Sequence, residues 1–98
     1  MYDLTGTWTS GDSLTYQFTQ IGNTLLTKGD NGRGWMNVGS GYIEPDTNQI
    51  IMHWSDTPDG KGFGAKGVLF MEIKDEDHIE KKGGSANFGI GNFTRALK

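Results

Sequence analysis

The densest run of chemically capable side chains is His53-Trp54-Ser55-Asp56. An imidazole, a hydroxyl and a carboxylate are the parts of a nucleophilic triad, but a triad works only when the three converge in space and hydrogen-bond in sequence. On a strand, side chains alternate between faces, so His53 and Ser55 share one face and Trp54 takes the other. With Trp54 inward, His53 faces solvent. No nucleophile, base and orienting group can be assembled elsewhere in the sequence, so the chain is not expected to be an enzyme.

Gly62-Phe63-Gly64-Ala65-Lys66-Gly67 matches the pattern G-x-G-x-x-G. A dinucleotide site needs that pattern between a strand and a helix, so that the helix N-terminus meets the pyrophosphate. Here a strand is expected to follow, and the segment reads as a flexible loop that could cover one end of the molecule. His78 is the only other histidine, next to Asp77, and two histidines with scattered carboxylates give no zinc spacing. Asp75-Glu76-Asp77 lacks the Gly and the distal Glu of a calcium loop. Asn92-Phe93-Thr94 fits a glycosylation sequon but falls in an expected strand. No metal and no cofactor are therefore expected.

What remains is binding. Tyr16, Trp35, Met52, Trp54 and Met71 are candidates for a pocket wall or for plain core. Small pockets are mostly apolar with a few polar groups that fix orientation. Ser10, Asp12 and Ser13, in the turn Ser10-Gly11-Asp12-Ser13, could supply those groups, although the same residues are good turn formers.

These side chains need elements to hold them. Turn signals recur every 8–12 residues, the spacing of an all-β meander, and eight strands are expected. The first covers about 3–10. The second covers about 14–20, where Leu14, Tyr16 and Phe18 alternate with Thr15, Gln17 and Thr19 in the period of a half-buried strand. Ile21-Gly22-Asn23 leads to a third near 24–28. Asn31-Gly32 is a strong two-residue hairpin signal. The fourth runs near 35–44, with Gly39 and Gly41 marking a bend or a close backbone approach. Pro45 to Asn48 is a turn. The fifth covers 49–55, with Ile50, Met52 and Trp54 on one face. Thr57 to Gly64 is the longest loop. The sixth covers 66–73, with Leu69, Met71 and Ile73 opposite Val68 and Phe70. The seventh and eighth fall near 78–82 and 87–95. Glycines punctuate too often for a helix. The fold expected is all-β, a single eight-stranded antiparallel up-and-down barrel over residues 1–98, which closes its sheet edges on itself. Eight strands leave room inside for side chains or one small ligand.

Bulk properties agree. The 98 residues suffice for one domain, with 34% hydrophobic residues, 16 glycines and only two prolines. The net charge of −3 is scattered, without the basic stripe that a phosphate backbone demands, so nucleic acid is not expected. No apolar run approaches the roughly 20 residues of a membrane-spanning helix, so no membrane association is expected. Residues 1–20 carry no signal-peptide pattern and the chain has no cysteine, which makes the cytoplasm the default expectation; a trimmed exported chain with a new Met1 would read the same.

Gly6-x-Trp8 in Leu4-Thr5-Gly6-Thr7-Trp8-Thr9-Ser10 has a counterpart in Phe93-Thr94-Arg95. The pair resembles the signature of the calycins, the superfamily of lipocalins and avidins, in which a Gly-x-Trp on the first strand packs beside a basic residue from the last. An indole can plug the barrel where those strands meet, and a guanidinium can stack on it while bonding open carbonyls. "LTGTWTS" and "GIGNFTRAL" are similar to the opening and closing strands of avidins, and Trp54 falls about where that family keeps a pocket tryptophan. The biotin-site residues are not kept. Ser10 stands where the resemblance implies Asn, Lys28 where it implies Tyr and Gly91 where it implies Asn or Asp, and no tryptophan follows Trp54. High-affinity biotin binding is not expected.

The leading expectation is non-catalytic binding of a small, partly apolar ligand at the barrel mouth. Trp54 and Trp35 would stack on it beside Tyr16, and Ser10 and Asp12 would orient it. One alternative is a protein-interaction or inhibitor module with a filled barrel. Another is carbohydrate binding through an exposed Trp. Association into homo-oligomers fits a thin core.

Overall fold

The computed structural model describes residues 2–10, 14–57, 64–85 and 92–96. They form β1 (Gly6–Thr9), β2 (Thr15–Ile21), β3 (Thr24–Asp30), β4 (Met36–Glu44), β5 (Gln49–Thr57), β6 (Lys66–Asp75), β7 (His78–Gly84) and β8 (Asn92–Arg95). Each strand pairs antiparallel with the next, and β8 pairs back onto β1, giving a closed up-and-down barrel. Among the described residues no helix is long and apolar enough to cross a membrane.

Alternation builds the core. In β2 and β3, Tyr16, Phe18, Leu25 and Thr27 are buried while Thr15, Gln17, Thr19, Leu26 and Lys28 are exposed. Ile43, Ile50, Met52, Leu69, Met71, Ile73, Ile79 and Phe93 complete the interior. Trp8 stacks on Phe18 with ring centroids 5.2 Å apart, and Phe93 meets Tyr16 edge-on at 5.0 Å. Such ring pairs contribute about 0.5–1.5 kcal/mol beyond their burial.

The interior glycines make room for these side chains. Gly39 and Gly41 are the close approaches that the sequence suggests. A Cβ on Gly39 would collide with Thr27 and come within 2.9 Å of Met52 Sδ, and one on Gly41 would lie 2.9 Å from the Ile51 carbonyl. Gly67 lies opposite Trp54 in the ladder, and a Cβ there would stand 3.1 Å from the indole.

The two ends of the barrel differ. At one end the links are short: Gly22-Asn23, Pro45 to Asn48, and Glu76-Asp77. Here the expected meeting of Trp8 and Arg95 is present. They are ladder partners, and the Arg95 guanidinium lies 4.6 Å above the indole. Trp8 Nε1 donates to the Leu4 carbonyl at 2.9 Å. Arg95 donates through Nη2 to the carbonyls of Asp3 and Glu76, at 2.8 and 2.7 Å, through Nη1 to that of Thr5 at 3.1 Å, and through Nε to Glu76 at 2.9 Å. Gly6 allows this arrangement. Its φ is 144°, a left-handed value that residues with a Cβ rarely adopt, and a Cβ there would crowd Arg95 Nη1 at 3.1 Å.

The other end carries the β1–β2, β3–β4, β5–β6 and β7–β8 links. Of these, 11–13, 58–63 and 86–91 lie outside the described residues, and with them fall Asp12, Ser13, Gly91 and the first two residues, Gly62 and Phe63, of the G-x-G-x-x-G segment, whose Lys66 and Gly67 open β6. The β3–β4 link corrects one expectation. Asn31-Gly32 is not a two-residue hairpin: β3 ends at Asp30, β4 begins at Met36, and five residues join them. The Asn31 side chain instead caps the link, its Oδ1 accepting from the amides of Arg33 at 2.7 Å and Trp35 at 3.3 Å. Gly32 and Gly34 take the positive φ values. A side chain that bonds the backbone ahead of it stabilises a wider loop than the primed turn that Asn-Gly favours. The first strand is also shorter than its expected span of 3–10.

Candidate functional site

The open end of the barrel is where the interior turns polar. Parity along β4 runs inward through Ile43, Gly41, Gly39 and Asn37, and along β5 through Ile50, Met52, Trp54 and Asp56. Asn37 is wholly buried, and its Nδ2 donates to Asp56 Oδ1 at 2.8 Å. Its Oδ1 is buried with no hydrogen-bond partner among the described residues. An unsatisfied buried acceptor costs about 1–3 kcal/mol, so this oxygen runs against the stability of the fold. The sequence pattern did not single out Asn37, and it marked Asp56 only as the carboxylate of the His53–Asp56 run, not as an interior partner of Asn37. The signal was available in their parity: counting inward from Trp54 makes Asp56 interior, and counting from the glycines does the same for Asn37.

The expected site residues distribute unevenly around this pair. Trp54, 4% exposed, occupies the inward position next to Asp56 on β5. Tyr16, Gly29, Asn37 and Asp56 lie in one register row across β2 to β5. Gly29 has no side chain, and the Tyr16 ring lies across its backbone. Ser10 directly follows β1 and is 8% exposed. Trp35 is half-buried at the end of the β3–β4 link. Met52 and Met71, the other two wall candidates, are buried in the core. Asp12 lies outside the described residues.

His53 and Ser55 point outward, opposite to Trp54, as alternation requires. They belong to a recess on the outer wall of β4, β5 and β6, of about 570 Å³, lined by Val38, Gly39, Ser40, His53, Trp54, Ser55 and Lys66. A smaller recess of about 360 Å³ at the closed end is lined by Asp3, Thr5, Glu76, Asp77 and Arg95. Arg95 donates to backbone carbonyls there and pairs with the Asp77 carboxylate at 3.2 Å, which makes it a structural clasp. Asp75 accepts from the Asp77 amide at 2.8 Å and lies 2.8 Å from His78 Nδ1. Those two contacts hold its carboxyl below the usual range, the amide first. Among the described residues no three His, Asp or Glu side chains converge as a metal site requires.

The fold thus defines a closed eight-stranded antiparallel barrel with a clasped end and a polar-lined open end, compatible with a calycin-like architecture. Comparison with protein-family models, curated proteins and solved structures returns no significant match to this chain.

Proposed function

We propose that the chain is a calycin-like barrel that binds a small, partly apolar ligand at its open end, without catalysis. The observation that carries this reading is the Asn37 carbonyl oxygen, buried and unbonded among the described residues beside Asp56. A ligand N–H or O–H would satisfy it and recover the desolvation cost. Trp54, Tyr16 and Trp35 supply apolar surface around that polar point, and Ser10 adds a hydroxyl at the same end. The resemblance of Gly6-x-Trp8 and Arg95 to the calycin signature supports the same architecture.

Intrinsic tryptophan fluorescence, titrated with a panel of metabolites, lipids and sugars, tests the proposal. A ligand should shift the emission of the wild type and bind at least tenfold more weakly to Asn37→Leu, because one hydrogen bond to a buried group contributes about 1.4 kcal/mol or more. If no compound in a broad panel shifts the emission, or if Asn37→Leu binds as the wild type does, the proposal fails.

A further inference from the structure

The outer wall of the barrel carries a second unassigned surface, independent of the open end. Five large apolar side chains lie exposed on neighbouring strands: Ile21, Leu26, Tyr42, Ile51 and Phe70, at 65%, 41%, 50%, 48% and 44%. Register explains why they meet. Ile21 pairs with Thr24, Thr24 with Tyr42, Tyr42 with Ile51, and Ile51 with Phe70. They form one transverse row on β2 to β6, with Leu26 beside it. Scattered exposed apolar residues need no explanation, but a contiguous band with polar borders marks an interaction site.

The borders have opposite signs. Towards the clasped end the next row contains Glu44, Gln49 and Glu72. Towards the open end lie first Ser40, His53 and Val68, then Lys28, Val38, Ser55 and Lys66. The last two rows contain most of the outer-wall recess. One face therefore presents a ridge beside a hollow and an acidic edge opposite a basic one.

We infer that this face binds a second copy of the chain about a two-fold axis, with the Tyr42–Ile51–Phe70 row as its core. An isologous interface must be self-complementary. A two-fold axis lying in the interface plane, across the strands and between the apolar row and the Ser40–His53–Val68 row, meets that demand. It sets Ile51 against the partner's His53, Phe70 against the partner's Val68, and Glu72 against the partner's Lys66. Each ridge then enters the other copy's hollow. Glu72 already faces Lys74 and Lys82 within its own chain, at 3.4 and 3.3 Å, whereas no ion pair involving Lys66 is present among the described residues. A stable interface needs about 800 Å² per partner, roughly a seventh of the 5735 Å² this chain exposes. The β3–β6 face is broad enough to supply that area.

Sedimentation equilibrium of the full chain across a dilution series tests this. The wild type should reach twice the 10.8 kDa of one chain. Ile51→Lys should weaken association roughly tenfold to hundredfold, the loss typical of a central interface residue, with an unchanged far-ultraviolet spectrum because Ile51 is already exposed. Lys66→Glu and Glu72→Lys should each associate more weakly than the wild type when alone. Mixed in equal amounts they should form a heterodimer, since both symmetry-related ion pairs are then restored. A monomeric wild type, an assembly that Ile51→Lys leaves intact, or a mixture no heavier than its components overturns the inference.

Discussion

The clasped end and the open end of this barrel are built from the same eight strands, yet they solve opposite problems. At the clasped end Arg95 donates to the carbonyls of Asp3, Thr5 and Glu76, and Trp8 lies beneath its guanidinium between the first and last strands. Four carboxylates in that half, Asp3, Glu72, Asp75 and Glu80, are held below their usual range, chiefly by the Thr5 amide, Lys82, the Asp77 amide and Lys82 respectively. At the open end the Asn37 amide oxygen has no hydrogen-bond partner among the described residues, while its nitrogen donates to the Asp56 carboxylate. Among the described residues, the Arg95 hydrogen bonds gather at one end of the barrel and the unsatisfied Asn37 oxygen lies at the other. Proteins tolerate such polarity where it serves binding.

Substitutions should separate the two ends. The largest loss is expected from Trp8→Ala, about 3–5 kcal/mol in denaturant unfolding, because it empties the plug and leaves a cavity. A loss below about 1 kcal/mol would show that the clasp is ornamental. Arg95→Met keeps much of the stacked volume but strips the donors from three carbonyls. A loss of about 1.5–3 kcal/mol is expected, the range for hydrogen bonds to a charged group, and Arg95→Lys should recover little because an ammonium cannot reproduce the planar fork. Gly67→Ala, which forces a methyl group against Trp54 and the Ser85 carbonyl, should cost about 1–3 kcal/mol. The double change Asn37→Leu with Asp56→Leu should be nearly neutral or stabilising, since replacing both the buried Asn37 and its half-buried partner removes the desolvation cost of the pair. A large loss there would erase the distinction between the ends.

The smallest effect is the pH response. A carboxylate whose folded pKa is depressed contributes stability that is present above its ordinary value, 3.8 for Asp and 4.5 for Glu, and is lost as pH falls through the lower folded value. Acid unfolding should therefore begin below about pH 4.5, and Glu72→Gln should flatten the slope in that window. These groups all reach solvent, Glu72 and Glu80 only in part, so salt should diminish the effect. An unchanged slope in Glu72→Gln would remove Glu72 from this account.

Much of the architecture was legible because alternation in strands such as Thr15–Ile21 is strict, and because Gly6, Trp8 and Arg95 have geometry that few other roles explain. The pairing of Asn37 with Asp56 was not legible, although Asp56 itself stood in the His53–Asp56 run. Asn37 and Asp56 are polar residues at interior positions, so they break the very pattern used to assign faces. The outer band was hidden for the converse reason. Ile50-Ile51-Met52, Leu69-Phe70-Met71 and Leu25-Leu26 place apolar residues on both faces at once, and period two alone reads the second face as noise. Asn31-Gly32 misled because the same dipeptide serves a primed turn or a side-chain cap, and Asp30 extends β3 far enough to favour the cap.

Among the described residues the seam between β1 and β8 has two ladder steps, Trp8–Arg95 and Thr9–Thr94, backed by the Ala96 amide donating to the Thr7 carbonyl at 2.8 Å, and it joins residues near opposite extremes of the sequence. Bringing them together pays the largest chain-closure entropy in the molecule, so zipping the seam is expected to be the last event in folding. Until then two raw strand borders are open to any neighbouring chain, the usual route to domain exchange and aggregation. The guanidinium that spans Asp3, Thr5 and Glu76 acts as a latch on that gap. Amide hydrogen exchange should run faster in Gly6–Thr9 and Asn92–Arg95 than in Gln49–Thr57, and faster still in Arg95→Met; equal protection throughout would mean that the ring has no weak join.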